Sequence, residues 1–349
     1  MPDARGSQAG FRARSQQARA NDSRACRKLQ LAPGMAAPLI HIGYHKTGTK
    51  WLRGGLFLNK NAGYHWIDKD TPPVRRLVRA HPLEFDPEES RREFAPLLAE
   101  ADEKSLMPVI CWGRLAGQAF SGGYDTKEIA DRLRAVFPDG RIVVVVREQR
   151  SMIVSTYKQY LKAGGPSGIE AFLQPGSDQG WRIPLFDFDY FQYHLLIGYY
   201  DKLFGADNVL ALPYEELVRD RRSFLTKIGE FSGNSVPEEV LAEMTDAKRR
   251  NPAQSALVLG ATRVLNRFGP RSELNPAPLM ESMLVHGAAT KLRKKLDPAN
   301  LPATRGLAQR SEQSLTQAVA EAVGDRYVES NRITAELLGV DLAAYGWML

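Results

Sequence analysis

Residues 45–50 read His-Lys-Thr-Gly-Thr-Lys, directly after an apolar run and directly before a helical pattern. Lysine ammonium groups supply point charges, threonine hydroxyls donate hydrogen bonds to oxygen, and Gly48 lets backbone N–H groups approach a bound group closely. At a strand-to-helix turn these features add to the free N–H groups and positive dipole of the helix start, which makes an anion site. A second candidate is Arg147, which ends the β-branched run Arg-Ile-Val-Val-Val-Val of residues 141–146. Its planar fork suits a phosphate dianion, and Ser155, about two helical turns further on, can close the same pocket. Ser151 and Thr156 are alternatives to Ser155.

These side chains need a frame that puts two strand ends in one place. From residue 36 onward short apolar runs alternate with helical periods, the pattern of an α/β fold with a mostly parallel sheet. Strands are expected at 38–43, 107–112, 141–146 and 208–213, the third a continuous run of the kind buried on both faces. Asp125 with Glu128 predicts a capped helix, and Ile129, Leu133 and Phe137 give it one apolar stripe. A helix capped by Ser151 and ended by Gly164 follows the third strand. Further helices are expected through 190–204, from near Tyr214 and from near Pro237, with a closing helical stretch over 314–338. Basic, proline-interrupted residues 251–310 are not assigned, and 64–105, 165–190 and 251–305 are read as variable loops around an acceptor. The expectation is a three-layer α/β sandwich, one domain over 36–349 with a helical C-terminal part.

The nucleotide-triphosphate loop G-x-x-x-x-G-K-[ST] is the first comparison for the 45–50 turn. Gly43 and Gly48 have its spacing, but Thr49 occupies the lysine position and no Ser or Thr follows Lys50. The central strand ends in Arg147 where a metal-holding acid would stand, so a γ-phosphate with its magnesium fits poorly and a singly charged sulfuryl group fits better. The stretch Tyr-His-Lys-Thr-Gly-Thr-Lys-Trp-Leu-Arg at 44–53 resembles the 5′-phosphosulfate loop of sulfotransferases that use 3′-phosphoadenosine 5′-phosphosulfate, with Lys46 in the lysine position, His45 where proline is common and Lys50 replacing a small hydroxyl residue. Residues 143–157 are similar to that family's 3′-phosphate motif, in which Arg147 and Ser155 match. Residues 203–217 and 330–346 also look like parts of bacterial members.

The resemblance implies a P-loop-like turn that binds the phosphosulfate through Lys46, Thr47, Gly48, Thr49 and Lys50, with Trp51 adjoining, and a 3′-phosphate held by Arg147 and Ser155. It implies sulfuryl transfer to a hydroxyl or amine of a small-molecule, glycan or glycolipid acceptor, with adenosine 3′,5′-bisphosphate as the by-product and no metal. Lys46 would stabilise the departing 5′-phosphate. A general base is also needed. Several bacterial relatives read S-x-E-x-L-S-G after the second strand, whereas residues 111–117 here read Cys-Trp-Gly-Arg-Leu-Ala-Gly, so Gly113 stands in the glutamate's place. His45, beside Lys46, is the first candidate for the base, ahead of His65, Glu84 and Asp189. Gly113 keeps open a catalytically weakened nucleotide-binding protein, and the glycine spacing keeps open a nucleotide-dependent kinase. Trp51 also reads as core packing.

Charge and composition narrow the classes. The 349 residues carry a net charge of +7, yet residues 1–34 hold Arg5, Arg12, Arg14, Arg19, Arg24, Arg27 and Lys28 against only Asp3 and Asp22. That segment has no hydrophobic period, and residues 1–35 are expected to be a disordered basic extension. Without aromatic interleaving it does not read as a nucleic-acid arm. Two cysteines, Cys26 and Cys111, provide no disulfide framework, and no run reaches the ~18 apolar residues of a membrane helix. A cytoplasmic location is the expectation.

Overall fold

Five parallel strands make a single sheet in the order β2-β3-β1-β4-β5, where β1 is Leu39–His41, β2 Tyr64–Ile67, β3 Met107–Cys111, β4 Arg141–Val146 and β5 Val209–Pro213. The structure is a computed structural model and describes residues 37–174, 185–246, 255–281, 287 and 305–349. The expectations for residues 1–35 and Cys26, and those for 175–184 and for 288–304, therefore fall outside the described residues.

Helices connect the strands. Thr49–Leu52 runs into a π-helical turn Arg53–Phe57 and together they form α1; α2 is Pro72–Arg79, α3 Pro87–Glu103, α4 Thr126–Val136, α5 Gln149–Lys162, α6 Ile169–Leu173 and α7 Tyr193–Phe204. After β5 come α8 (Tyr214–Arg219), α9 (Arg221–Ser232), α10 (Glu238–Asp246), α11 (Ala256–Asn266), α12 (Arg305–Val323) and α13 (Val328–Leu338).

Strand side chains alternate between the two faces of the sheet. Leu39, Val109, Cys111, Val143, Val145 and Leu212 share one face and pack with Leu52, Leu56, Phe57, Phe224, Leu225, Ile228 and Met244 from α1, α9 and α10. Ile40, Ile110, Ile142, Val144 and Val146 point the other way and are equally buried, with α7 packed against β4 and β5. Helical layers cover both faces, which is why the 141–146 run is apolar at every position rather than at alternate ones. The fold is the expected three-layer α/β sandwich.

Three local expectations change. Residues 64–105, read as loop, form the edge strand β2 and the helices α2 and α3; Pro72, Pro73 and Pro87 mark helix starts here rather than breaks. Helix α5 is capped by Glu148, whose carboxylate accepts from the backbone N–H groups of Arg150 and Ser151, so Ser151 is inside the helix and not its cap. Asp125 starts α4 without a side-chain cap, because its carboxylate pairs with Arg114 and accepts from the Gln118 N–H at 2.9 Å. The two glycines of α1 also separate. A Cβ on Gly55 would come within 2.7 Å of Met244 Cε, whereas Gly54 faces open space.

Candidate functional site

Strand register brings the site together. Backbone pairing between β1 and β4 continues past the strand, with Ile42 N–H donating to Val143 O at 3.0 Å and Tyr44 N–H to Val145 O at 3.4 Å. The 45–48 turn therefore leaves the sheet level with Val146 and Arg147. On the far side of β4, Val146 pairs with Pro213, which sets Tyr214 beside Arg147; on the other side of β1, His41 pairs with Cys111, which brings Gly113 to the same edge. Four neighbouring strands thus end on one crevice, the usual ligand position of an open parallel sheet.

The turn itself is shaped for a close ligand. Gly48 has φ 88°, and a Cβ there would come within 2.7 Å of Leu217 Cδ2 and 3.7 Å of Tyr214 Cε2. Lys46 adopts the left-handed region at φ 73°, a conformation that costs a non-glycine residue roughly 1 kcal/mol and is retained where a site needs it. Thr47 is fully buried and its hydroxyl donates to Tyr44 O at 2.6 Å, so its side chain braces the turn from within. Thr49 Oγ1, by contrast, is buried with no hydrogen-bond partner among the described residues. Lys50 is exposed, and half-exposed Trp51 packs on the core cluster below the sheet.

Positive charge converges here. Although Lys46 reaches solvent, partial desolvation lowers its pKa from the ordinary lysine value, and the fields of Lys50, Arg147 and Lys158 lower it further. The Arg147 guanidinium lies 5.0 Å over the Tyr214 ring, and that ring is the one facing Gly48, so a single aromatic side chain connects the 45–48 turn and Arg147. Ser155 and Lys158, three residues apart on α5, share its half-buried stripe, while the Thr156 hydroxyl turns inward to Met152 O at 2.9 Å. Thr156 is thereby excluded as the ligand donor.

His45 is half-buried, its Nδ1 is enclosed with no partner among the described residues, and its pKa falls to about 4 through desolvation first and then through Arg114 and Lys46. It is neutral at pH 7. A Cβ on the buried Gly113 would lie 3.6 Å from Thr49 Oγ1 and 3.7 Å from His45 N, ordinary contacts, so the position tolerates a Cβ against the turn. Among the described residues no hydrogen bond or ion pair ties the other candidate bases to this turn. His65 lies on β2 opposite Pro108 and 4.0 Å from Glu100, Glu84 is exposed, and Asp189 is exposed with its carboxylate accepting from Gln192. Among the described residues no three His, Cys, Asp or Glu side chains group as metal ligands.

A model of the sulfotransferase family matches residues 38–238, more than half of the chain, and the matched segment contains both turns described above. The chain belongs to the sulfotransferase family. Solved structures similar to this sulfotransferase include one from Alicyclobacillus acidocaldarius, at 17% identity, covering 66% of this chain and 94% of that one, with a TM-score of 0.41. A mouse sulfotransferase in complex with PAP is 15% identical over 82% of this chain and 88% of its own, with a TM-score of 0.36. The sulfotransferase domain of a Synechococcus olefin synthase is 15% identical, covering 83% and 98%, with a TM-score of 0.35. No curated protein matches the sulfotransferase.

Sequence reading did not find Tyr214, Lys158 or Arg114. Tyr214 directly follows the 208–213 strand and Lys158 lies one helical turn beyond Ser155, and both positions were signals available in the order of residues. Nothing in the sequence near Arg114 indicates that it would face His45.

Proposed function

We propose that this sulfotransferase moves a sulfuryl group from 3′-phosphoadenosine 5′-phosphosulfate to a hydroxyl or amine of a small-molecule, glycan or glycolipid acceptor. The observation that carries this reading is the shared Tyr214 ring, which lies between the Lys46 turn and Arg147 at adjacent strand ends. A single nucleotide with phosphates at both ends spans such a pair. The residues fit it: Gly48 leaves room for close backbone approach, Thr49 Oγ1 is an unpartnered buried donor, and Arg147 has no ion pair among the described residues.

In the reaction the bond between sulfur and the 5′-phosphate oxygen breaks as the bond to the acceptor oxygen or nitrogen forms. Lys46 and the backbone N–H groups of the turn hold the negative charge that collects on the leaving phosphate. Neutral His45 receives the acceptor proton at Nδ1, and the donor's negative charge beside it raises its basicity from the low value imposed by Arg114 and Lys46. Arg147 and Ser155 bind the 3′-phosphate and give the donor one orientation. Gly113 supports a second reading, a nucleotide-binding protein of this family with weakened transfer, because the acceptor side lacks a carboxylate at that position.

The test is a thermal melt with adenosine 3′,5′-bisphosphate followed by an acceptor screen with sulfur-labelled donor. A raised melting temperature together with label transfer is expected. Stabilisation without transfer to any acceptor in a broad panel favours the second reading, and magnesium-dependent ATP turnover would replace both with a kinase. No helix among the described residues is long and apolar enough to cross a membrane. A cytoplasmic site of action is part of the proposal, and cell fractionation tests it.

A further inference from the structure

A cleft of about 300 Å³ is lined by Arg147, Tyr214, Glu215, Val218, Arg219 and Tyr345, with Tyr214 the residue that also meets the Lys46 turn at Gly48. Five of these six residues come from parts of the chain that neither anion motif includes, and two of them matter most here. Arg219 ends α8, and Tyr345 belongs to a short helical turn Ala343–Tyr345 near the C-terminus.

The cleft repeats one arrangement twice. The Arg147 guanidinium lies 5.0 Å over the Tyr214 ring, and the Arg219 guanidinium lies 4.8 Å over the Tyr345 ring. Stacking on a ring engages the face of a guanidinium and leaves its in-plane N–H edge available, the edge that bonds a phosphate in a bidentate way. Arg219 uses Nη2 to donate to Ala344 O at 2.6 Å, which leaves its other N–H groups. The one carboxylate lining the cleft does not neutralise either arginine by a close ion pair. Glu215 accepts from Glu148 N–H at 3.1 Å through one oxygen and from Trp347 Nε1 at 3.3 Å through the other, and burial raises its pKa.

The C-terminal segment is fastened to the same strand end that carries Arg147. Tyr193 donates its hydroxyl to Arg147 O at 2.7 Å and its ring is 5.7 Å from that of Trp347. Asn331 donates to Met348 O at 2.8 Å and accepts from Gln149, the first residue of α5. Arg219 and Tyr345 are therefore held at a set position relative to Arg147.

We infer that Arg219, backed by Tyr345, is the second guanidinium of the donor's 3′-phosphate site and determines selectivity for a 3′-phosphorylated nucleotide. The inference rests on the donor proposed above. A dianionic phosphate on the ribose enters between the two stacked arginines, whereas a nucleotide without it meets two unneutralised cations and gains nothing from them.

Calorimetric titration of the full chain with adenosine 3′,5′-bisphosphate and with adenosine 5′-monophosphate tests this. The wild type binds the bisphosphate more tightly; Arg219→Ala weakens the bisphosphate by roughly 10- to 100-fold, the loss of one charged hydrogen-bonding group, and leaves the monophosphate unchanged. Arg219→Lys restores part of the difference, and Tyr345→Leu shows a smaller loss of the same kind. A purely structural role for Arg219 in holding Ala344 would weaken both nucleotides together, and that result overturns the inference. An unchanged affinity ratio in Arg219→Ala also overturns it, while leaving the donor assignment intact. Failure of the wild type to bind the bisphosphate removes the donor assignment and the inference with it.

Discussion

On the phosphate side of the crevice, Arg147, Tyr214 and Glu215 stand on strand ends and helix starts whose polar atoms have partners or reach solvent. Around Gly113, on the transfer side, Thr49 Oγ1, His45 Nδ1 and Arg114 Nη1 are all buried without a partner among the described residues. An unsatisfied buried donor or acceptor costs about 1–3 kcal/mol. The Arg147 side thus buries no unpartnered polar atom, while the side around Gly113 carries buried, unmet hydrogen-bonding capacity. Binding a nucleotide and transferring a group from it are separable properties here, and substitutions should divide them.

The largest expected effect is at Lys46. Lys46→Ala should lower kcat by about 10²–10³ through loss of charge stabilisation at the leaving phosphate, with a smaller loss of bisphosphate affinity and an unchanged melting temperature. Steady-state kinetics with labelled donor checks this, and kcat within a few-fold of wild type would remove Lys46 from the transfer step. Gly113→Glu probes the opposite side. Its Cβ meets only ordinary contacts, so the variant should fold, and a carboxylate near His45 should raise that imidazole's pKa by about one unit or more. The acid limb of the kcat/KM profile then moves to higher pH; an unmoved limb would mean that His45 does not carry the proton.

The smallest effect concerns stability beneath the turn. His41 is fully buried with Nε2 unpartnered among the described residues, and burial drives its pKa down to about 4, as with His45. A folded-state pKa depressed below the unfolded value of about 6.5 means that the unfolded chain binds the proton first. Stability is therefore full above about pH 6.5 and is lost as pH falls toward 4, by up to about 1.4 kcal/mol per pH unit for each histidine. Urea melts at several pH values should show a shallower acid slope in His41→Gln, and an identical slope would place the proton uptake elsewhere.

Much of the frame was readable from residue order. The 141–146 run coincides with β4 because a central parallel strand needs apolar side chains on both faces, and no other element imposes that pattern over so few residues. The 64–105 stretch was not readable. Strand β2 is four residues at the sheet edge, α2 and α3 begin at prolines that also mark loops, and tertiary packing rather than local preference decides between these. Similarly, Ser151 and Asp125 have the residue types of helix caps, yet Glu148 takes the first role and Arg114 draws the second carboxylate away. Capping is a competition between nearby acceptors, and only the folded chain shows which one is in reach.

The amino-acid order alone specified two candidate anion-binding turns and the alternation of strand and helix that carries them, because glycine, lysine and arginine at strand ends act through their immediate backbone. Only the tertiary structure decided that Tyr214 lies between those turns, that the charge of Arg114 acts on His45 and that Arg219 and Tyr345 share a cleft with Arg147. Those relations arise from the pairing of β3, β1, β4 and β5 and the docking of the C-terminal segment, which set side by side residues that are remote along the chain.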